Sequence, residues 1–353
     1  MWQYVKNLFH LLVAWIACVY YQFPSKNLTV IGVTGTDGKT TTAHIIYHIL
    51  QKAGHNVSLI TSVGAIINGK TYDTGFHVTT PSSFSIQKFL STAVKTPLVK
   101  GRRFMILETT SHSLDQHRVY GIGFEVAVLT NVTHEHLDYH KTHMKYLFVK
   151  LKLLRSAKKA VVNKDDDSYK ILAHNKWITY GMKDDADINP RNFPFTTSLI
   201  GAFNKYNCLA AIGVCKALEI SDLEIRSGLK TVQPPKGREE IIYQKDFTVM
   251  IDFAHTPNAL TQVLSSVKQQ GYHQIIHVFG GAGKRDASKR PLMGVASGKY
   301  ADVIILTAED PRGESVEKIS AEIREGIKNV AKKEQNSTLL QISDRQEAIR
   351  QAI

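Results

Sequence analysis

Residues 30–42, Val-Ile-Gly-Val-Thr-Gly-Thr-Asp-Gly-Lys-Thr-Thr-Thr, constrain this chain more than any other stretch. A β-branched run enters glycines, then a lysine and hydroxyl residues, and residues 43–50 continue with helical apolar spacing. Strand, glycine turn and helix in that order make a phosphate cradle. The glycines let backbone N–H groups face a polyphosphate, and the helix N-terminus adds its positive dipole end. Lys39 supplies a point charge, and the Thr40 hydroxyl can sit on Mg²⁺. The usual spacing puts a glycine where Val33 stands, with Gly32 and Gly35 on either side, so the match is imperfect. The plain alternative is a glycine-rich turn between an ordinary strand and helix.

At 353 residues the chain has room for two domains. Its formal charge of +13 suits nucleic acid, an anionic membrane surface or phosphorylated substrates. No arginine-rich tract or aromatic-interleaved basic motif accompanies that charge, which argues against nucleic acid. Cys18, Cys208 and Cys215 have no metal spacing and no disulfide framework, as in a reducing, cytoplasmic setting. Residues 8–21 are almost wholly apolar, yet shorter than the roughly 18 residues a membrane-spanning helix needs. They read first as a helix packed on the domain or a partner, next as membrane-surface contact, and last as a targeting segment.

Apolar strands are expected at 57–60, 103–108, 126–131 and 159–163, with a helix at 84–94 and a polar, turn-rich segment at 71–80. Such alternation implies a mostly parallel sheet whose ligands lie at the carboxyl ends of the strands. Glu108, Asn131 and the phosphate loop share that edge. A smaller α/β unit follows Pro-Pro-Lys-Gly at 234–237. Its strands are expected at 249–252, 275–280 and 303–307, and its helices after Pro257, Pro291 and Glu314. Residues 344–353 have a helical pattern; either that helix closes the domain or the chain is incomplete.

Three constellations carry chemistry. Residues 108–118 mix a carboxylate with histidines and hydroxyls, and Glu108 at a strand tip can give a hard cation the oxygen ligand it wants. Residues 131–140 hold three histidines and two acids. His136 and His140 on one helix face would suit zinc, but the His-Glu-x-x-His order is absent. Lys150 stands among apolar neighbours, and by itself reads as a snorkelling surface lysine.

Residues 33–42, 108–118 and 136–140 closely resemble motifs of the Mur ligase family. Gly-Arg-Glu-Glu at 237–240 and residues 252–260 and 279–291 continue the likeness in the same order. It covers the chain from about residue 27 to the end and is nearest the UDP-N-acetylmuramoyl-tripeptide synthetase branch. The resemblance implies an α/β chain with a central P-loop NTPase-like parallel-sheet domain (27–233) and a smaller Rossmann-like domain (234–353), while residues 1–26 ahead of it read as an apolar N-terminal helix. It also implies an ATP- and Mg²⁺-dependent amide ligase of peptidoglycan precursor synthesis, in which a peptide carboxylate is phosphorylated and an amino acid then displaces the phosphate. Opposing anions must approach, so concentrated positive charge is needed.

By the same resemblance Gly35, Thr36, Asp37, Gly38, Lys39, Thr40 and Thr41 hold ATP phosphates. Asn204 and Asn207 meet adenine, and Arg238 and Asp252 contact the nucleotide. Thr40 and Glu108 take one Mg²⁺, Glu108 and His136 a second, and Lys150 aligns with a lysine that becomes carbamylated. Thr79, Thr80, Ser111 and Arg118 face the muramyl-peptide acceptor. Asp310 and Arg312 correspond to an Asp-Asn-Pro-Arg signature for meso-diaminopimelate, with Asp310 in place of asparagine. Guanidinium suits the incoming carboxylate.

Three departures modify these expectations. The family's uridine-nucleotide domain is missing ahead of the loop, which opens the acceptor to a lipid-linked form and the apolar helix to a membrane surface. A Gly-Lys-Gly-His-Glu motif expected after residue 353 is missing too, as in a truncated chain. Asp37 replaces a loop asparagine, and its added carboxylate weakens ATP binding unless metal or Lys39 offsets it. Two alternatives remain: a ligase of folylpolyglutamate or cyanophycin type, and a nucleotide-binding partner protein without turnover.

Overall fold

The computed structural model describes residues 2–75, 79–98, 101–133, 135–172, 176–331 and 338–353. Two compact units form. The first comprises Met1–Val132 with Met144–Ile251, and the second Thr133–His143 with Asp252–Ile353. The strands in chain order are β1 (Thr29–Thr34), β2 (Asn56–Thr61), β3 (Gly64–Ile67), β4 (Lys70–Tyr72), β5 (Arg103–Glu108), β6 (Phe124–Leu129), β7 (Ala157–Asn163) and β8 (Ile178–Tyr180). After these come β9 (Glu240–Gln244), β10 (Thr248–Ile251), β11 (Ile276–Phe279), β12 (Val303–Leu306) and β13 (Thr338–Gln341). The helices are α1 (Trp2–Tyr20), α2 (Lys39–Lys52), α3 (Ser83–Val94), α4 (Ser111–Asp115), α5 (Leu137–His140), α6 (His143–Ser156), α7 (Tyr169–Leu172), α8 (Ala202–Ala217), α9 (Asp222–Thr231), α10 (Pro257–Gln269), α11 (Lys289–Tyr300), α12 (Val316–Ala331) and α13 (Arg345–Ala352).

The first unit is built on one eight-stranded sheet of order β4-β3-β2-β5-β1-β6-β7-β8. From β2 to β8 the neighbours are parallel, while β3 pairs antiparallel with both β2 and β4 at one edge. Strand residues alternate between two cores, as the period of two requires. Ile31, Val33, Phe104 and Ile106 pack with Ile45, Ile49, Leu209 and Ile212 of α2 and α8, while Val30, Met105 and Leu107 pack with Ile86 and Leu90 of α3 and Leu147 and Leu151 of α6. Both faces of the sheet are therefore covered, and its strands read as continuous apolar runs.

The central strand β1 lies between β5 and β6, so the turns after all three reach one edge. Helix α1 lies against α3 through buried Ala14, Ala17 and Cys18, with Gln87 Nε2 donating to Cys18 Sγ at 3.3 Å and Asn7 Nδ2 to Asp115 Oδ2 at 3.1 Å. Among the described residues, no helix is long and apolar enough to cross a membrane.

The second unit carries a parallel sheet of order β11-β12-β13 with α10 to α13 around it. Thr256 caps α10 by accepting from Ala259 N, with Pro257 in the first turn where its missing N–H costs nothing. One expectation is corrected. The run at 249–252 does not join this sheet: β10 turns back on β9 as an isolated antiparallel pair in the first unit. Its partner lies only a few residues away, and closing so short a loop costs little entropy. The third parallel strand is β13, a four-residue Thr-Leu-Leu-Gln segment without a strong apolar run. The expected helices form as α10, α11, α12 and α13, with Pro291 in the first turn of α11.

Candidate active site

The phosphate loop is the four-residue connection 35–38 between β1 and α2. Val33, where a glycine was looked for, is buried in β1 beside Glu108 of β5, so the loop is shorter than the common form and begins at Gly35. A side chain at Gly35 would place Cβ 1.8 Å from Thr130 Oγ1. At Gly38, with φ at +79°, it would lie 2.2 Å from Asn207 Oδ1. Both close approaches admit only glycine.

The loop is clamped through its main chain. Asp37 N–H donates to Asn131 Oδ1 at 2.9 Å, and Asp37 O accepts from Thr130 Oγ1 at 2.6 Å and from Asn131 Nδ2 at 3.2 Å. Thr130 and Asn131 follow β6, whose carbonyls at Leu129 and Thr130 accept from the Tyr180 hydroxyl; burial drives the pKa of that hydroxyl well above its ordinary value. Thr36 Oγ1 meets Tyr146 OH at 3.1 Å, and Lys39 Nζ folds back to donate to Thr36 O at 2.8 Å.

At the start of α2, Thr40 Oγ1 donates to Glu108 Oε2 at 2.9 Å, and Ser62 N–H, just past β2, donates to the same oxygen at 3.0 Å. Arg238 Nη2 reaches Thr40 Oγ1 at 3.3 Å and Ser62 Oγ at 3.2 Å. Buried hydroxyl and carboxylate oxygens are hard donors, and this set fits Mg²⁺. Thr41 is buried beside them in the first turn of α2. One turn on, His44 has its pKa lowered to about 4, first by burial and then by the Arg238 charge.

Asn204 and Asn207 come from α8, in a chain of amides that runs back to α2. Asn204 Nδ2 donates to Glu239 Oε2, Asn207 Nδ2 donates to Asn204 Oδ1 at 2.9 Å, and Thr42 Oγ1 donates to Asn207 Oδ1 at 3.3 Å. Lys150 corrects its reading as a surface residue: it is 1% exposed, donates to Gly35 O at 2.6 Å, and sits 4.3 Å from the centroid of the Tyr146 ring. Snorkelling needs a path to water, and α6 is covered around this position by buried Leu147, Leu151 and Leu154. Thr80, Ser111 and Arg118 gather beyond β5. Thr80 Oγ1 donates to Glu108 O at 3.0 Å, Arg118 Nη1 donates to Thr80 O at 2.9 Å, and Ser111 is buried at the start of α4. Thr79 is half-buried beside Thr80.

His136, Asp252, Asp310 and Arg312 belong to the second unit. His136 Nδ1 lies 3.6 Å from Glu135 Oε1, which pairs with the buried Lys289 at 3.1 Å. The zinc expectation fails in its geometry: α5 begins at Leu137, and His136 precedes it with φ at +57°, so His136 and His140 do not share a helix face. No cluster of three or more metal-ligating His, Cys, Asp or Glu occurs among the described residues, and His134 lies outside them. Asp252 Oδ1 accepts from Ala254 N–H at 2.7 Å. Arg312 Nε donates to Asp310 Oδ2 at 2.6 Å, while burial raises the pKa of neighbouring Glu309 above the usual carboxylate range.

Ser62, Thr130 and Glu239 were not anticipated. A hydroxyl just after an apolar strand is the signal that would have found the first two. Glu239 left no such mark.

Comparison with known proteins matches this architecture from end to end. Residues 33–215 match the Mur ligase middle domain, and residues 237–353 match the Mur ligase, glutamate ligase domain. The UDP-N-acetylmuramoyl-L-alanyl-D-glutamate--2,6-diaminopimelate ligase of Caldanaerobacter subterraneus subsp. tengcongensis is 37% identical over 364 residues, covering 97% of this chain and 73% of that protein. The ligase of the same name from Aquifex aeolicus is 38% identical over 355 residues, covering 95% and 71%. A solved 2,6-diaminopimelate ligase superposes with a TM-score of 0.59 at 28% identity, covering 92% of this chain and 78% of that one. Folylpolyglutamate synthase of Mycobacterium tuberculosis shares the fold, with a TM-score of 0.72 at 16% identity and coverage of 97% and 86%. Both halves of the molecule thus carry one family's domains in its order, and the chain belongs to the Mur ligases, a family of ATP-dependent amide ligases.

Proposed function

We propose that the chain joins 2,6-diaminopimelate to the carboxylate of a muramyl dipeptide at the expense of ATP, in peptidoglycan precursor synthesis. The observation that carries this reading is the Thr40–Glu108 couple at the mouth of the phosphate loop. The names of the relatives support the substrate pair.

In the first step a carboxylate oxygen of the acceptor attacks the γ-phosphorus of ATP, an acyl phosphate forms and ADP leaves. In the second the amine of the amino acid attacks the acyl carbon, phosphate leaves and the amine proton passes to solvent. The loop N–H groups and the α2 N-terminus face the phosphates, and Lys39 turns from Thr36 O to them. Thr40 and Glu108 hold Mg²⁺, which when bound supplies positive charge to the γ-phosphate. Lys150 gives up its ammonium proton, its neutral Nζ adds to carbon dioxide and a second proton leaves, so that two protons pass to solvent and a buried cation becomes an anionic oxygen donor. His136 serves as a further ligand by family resemblance. Asn204 and Asn207 face adenine, and Arg238 and Asp252 contact the nucleotide. Thr79, Thr80, Ser111 and Arg118 orient a UDP- or lipid-linked acceptor, and Asp310 and Arg312 receive the far carboxylate of diaminopimelate.

Phosphate release with UDP-muramyl-dipeptide, ATP and either diaminopimelate or lysine tests the reading. Release that requires diaminopimelate supports it; no release with either amino acid overturns it.

A further inference from the structure

Helix α1 is satisfied on one side only. Leu8, Phe9, Leu12, Trp15, Ile16 and Val19 are each between 43% and 63% exposed. At roughly 100° per residue they fall within one arc of about 120°, opposite the buried Ala14, Ala17 and Cys18. The apolar surface runs on through Tyr20 to the half-exposed Phe84 of α3, whose rings lie 6.3 Å apart. Large contiguous apolar patches of this kind mark an interaction surface.

Charge indicates what covers it. Residues 2–36 contain no aspartate or glutamate. The elements presenting the face, α1, the short helical turn Pro24–Asn27 and α3, carry Lys6, Lys26 and Lys88 and no carboxylate. Two copies meeting through this face would bring like charges together, whereas an anionic surface complements them. An amphipathic helix with an apolar face, lysines beside it and aromatic residues within it has the make-up of one that lies in the headgroup boundary. At 19 residues it is about 28 Å long and lies along such a surface without crossing it.

We infer that α1 docks this chain on an anionic lipid bilayer, with its apolar face sunk at the headgroup–acyl boundary. The inference stands apart from the choice of acceptor and from turnover.

Flotation of the full chain with vesicles of phosphatidylcholine, alone or mixed with phosphatidylglycerol, tests it. The expected result is binding to the phosphatidylglycerol vesicles that weakens with salt, with Trp15 fluorescence shifted to the blue. The double variant Phe9→Glu/Trp15→Glu changes only outward side chains, and binding falls by about a hundredfold, a tenfold loss for each large apolar group withheld from the lipid. Lys6→Glu/Lys88→Glu removes the preference for the anionic vesicles, and ATP binding by both variants confirms that they fold. Three results overturn the proposal: no vesicle binding by the unaltered chain, binding unchanged in Phe9→Glu/Trp15→Glu, or self-association in solution that this double variant abolishes, which would show that a second copy covers the face.

Discussion

Thr40 donates its hydroxyl to Glu108 Oε2 at 2.9 Å, although 68 residues separate them in the chain. Parallel pairing of β1 with β5 brings the start of α2 to the tip of β5, and the two oxygens become one donor set. Glu108→Gln keeps the shape and removes the charge. Phosphate release should fall by about a hundredfold or more, as when a preorganised electrostatic group is lost, with the circular dichroism unchanged.

Gly38→Ala tests the loop. Its backbone is left-handed at +79°, and the new methyl would meet Asn207 Oδ1 at 2.2 Å. Left-handed strain and the clash together should cost above about 2 kcal/mol in denaturant unfolding and abolish ATP binding.

His44 makes stability fall in acid. Its folded pKa is about 4 and its unfolded one about 6.5, so the unfolded chain takes up the proton more readily between those values. The contribution is whole above pH 6.5, shrinks as pH falls towards 4, and is then spent, about 3 kcal/mol in all. His277 in the second unit, also lowered to about 4 by burial, acts in the same direction. Urea midpoints at pH 7 and pH 5 should therefore lie closer together in His44→Gln, without becoming equal.

Lys150→Ala removes a buried ammonium held on Gly35 O. If its carbamate is the working form, activity falls by about a hundredfold and returns in part with acetate or formate, small enough to fill the space left. A variant with full activity, or one that no carboxylate rescues, would dismiss the role.

Chelation separates catalysis from folding. With EDTA, phosphate release should stop while the melting temperature stays within about 2 °C, because Ser62 and Thr40 already donate to Glu108 and Arg238 braces both hydroxyls. Arg238→Ala should lower stability by about 1 kcal/mol with or without EDTA.

The parallel sheet was legible because its strands are buried on both faces: the run at 103–108 is β5 residue for residue, ending on Glu108. The phosphate loop was legible because glycine and lysine are needed there by shape and charge. Lys150 was misread from its residues alone, since apolar neighbours signal burial as readily as a surface stem. Ser62 and Thr130 carry only the signal of a hydroxyl after an apolar strand, which does not name a partner; their roles and that of Glu239 come from pairings across 46, 93 and 35 residues. β10 and β13 show the same limit, because a short strand does not declare its partner.

The clamp on Asp37 holds its amide and its carbonyl, groups that every residue but proline presents. The three bonds to Thr130 and Asn131 are main-chain bonds on the side of residue 37. The shape of the cradle at this point is thus written 93 and 94 residues away, in Thr130 and Asn131, so a substitution at the end of β6 reaches the phosphates without touching them.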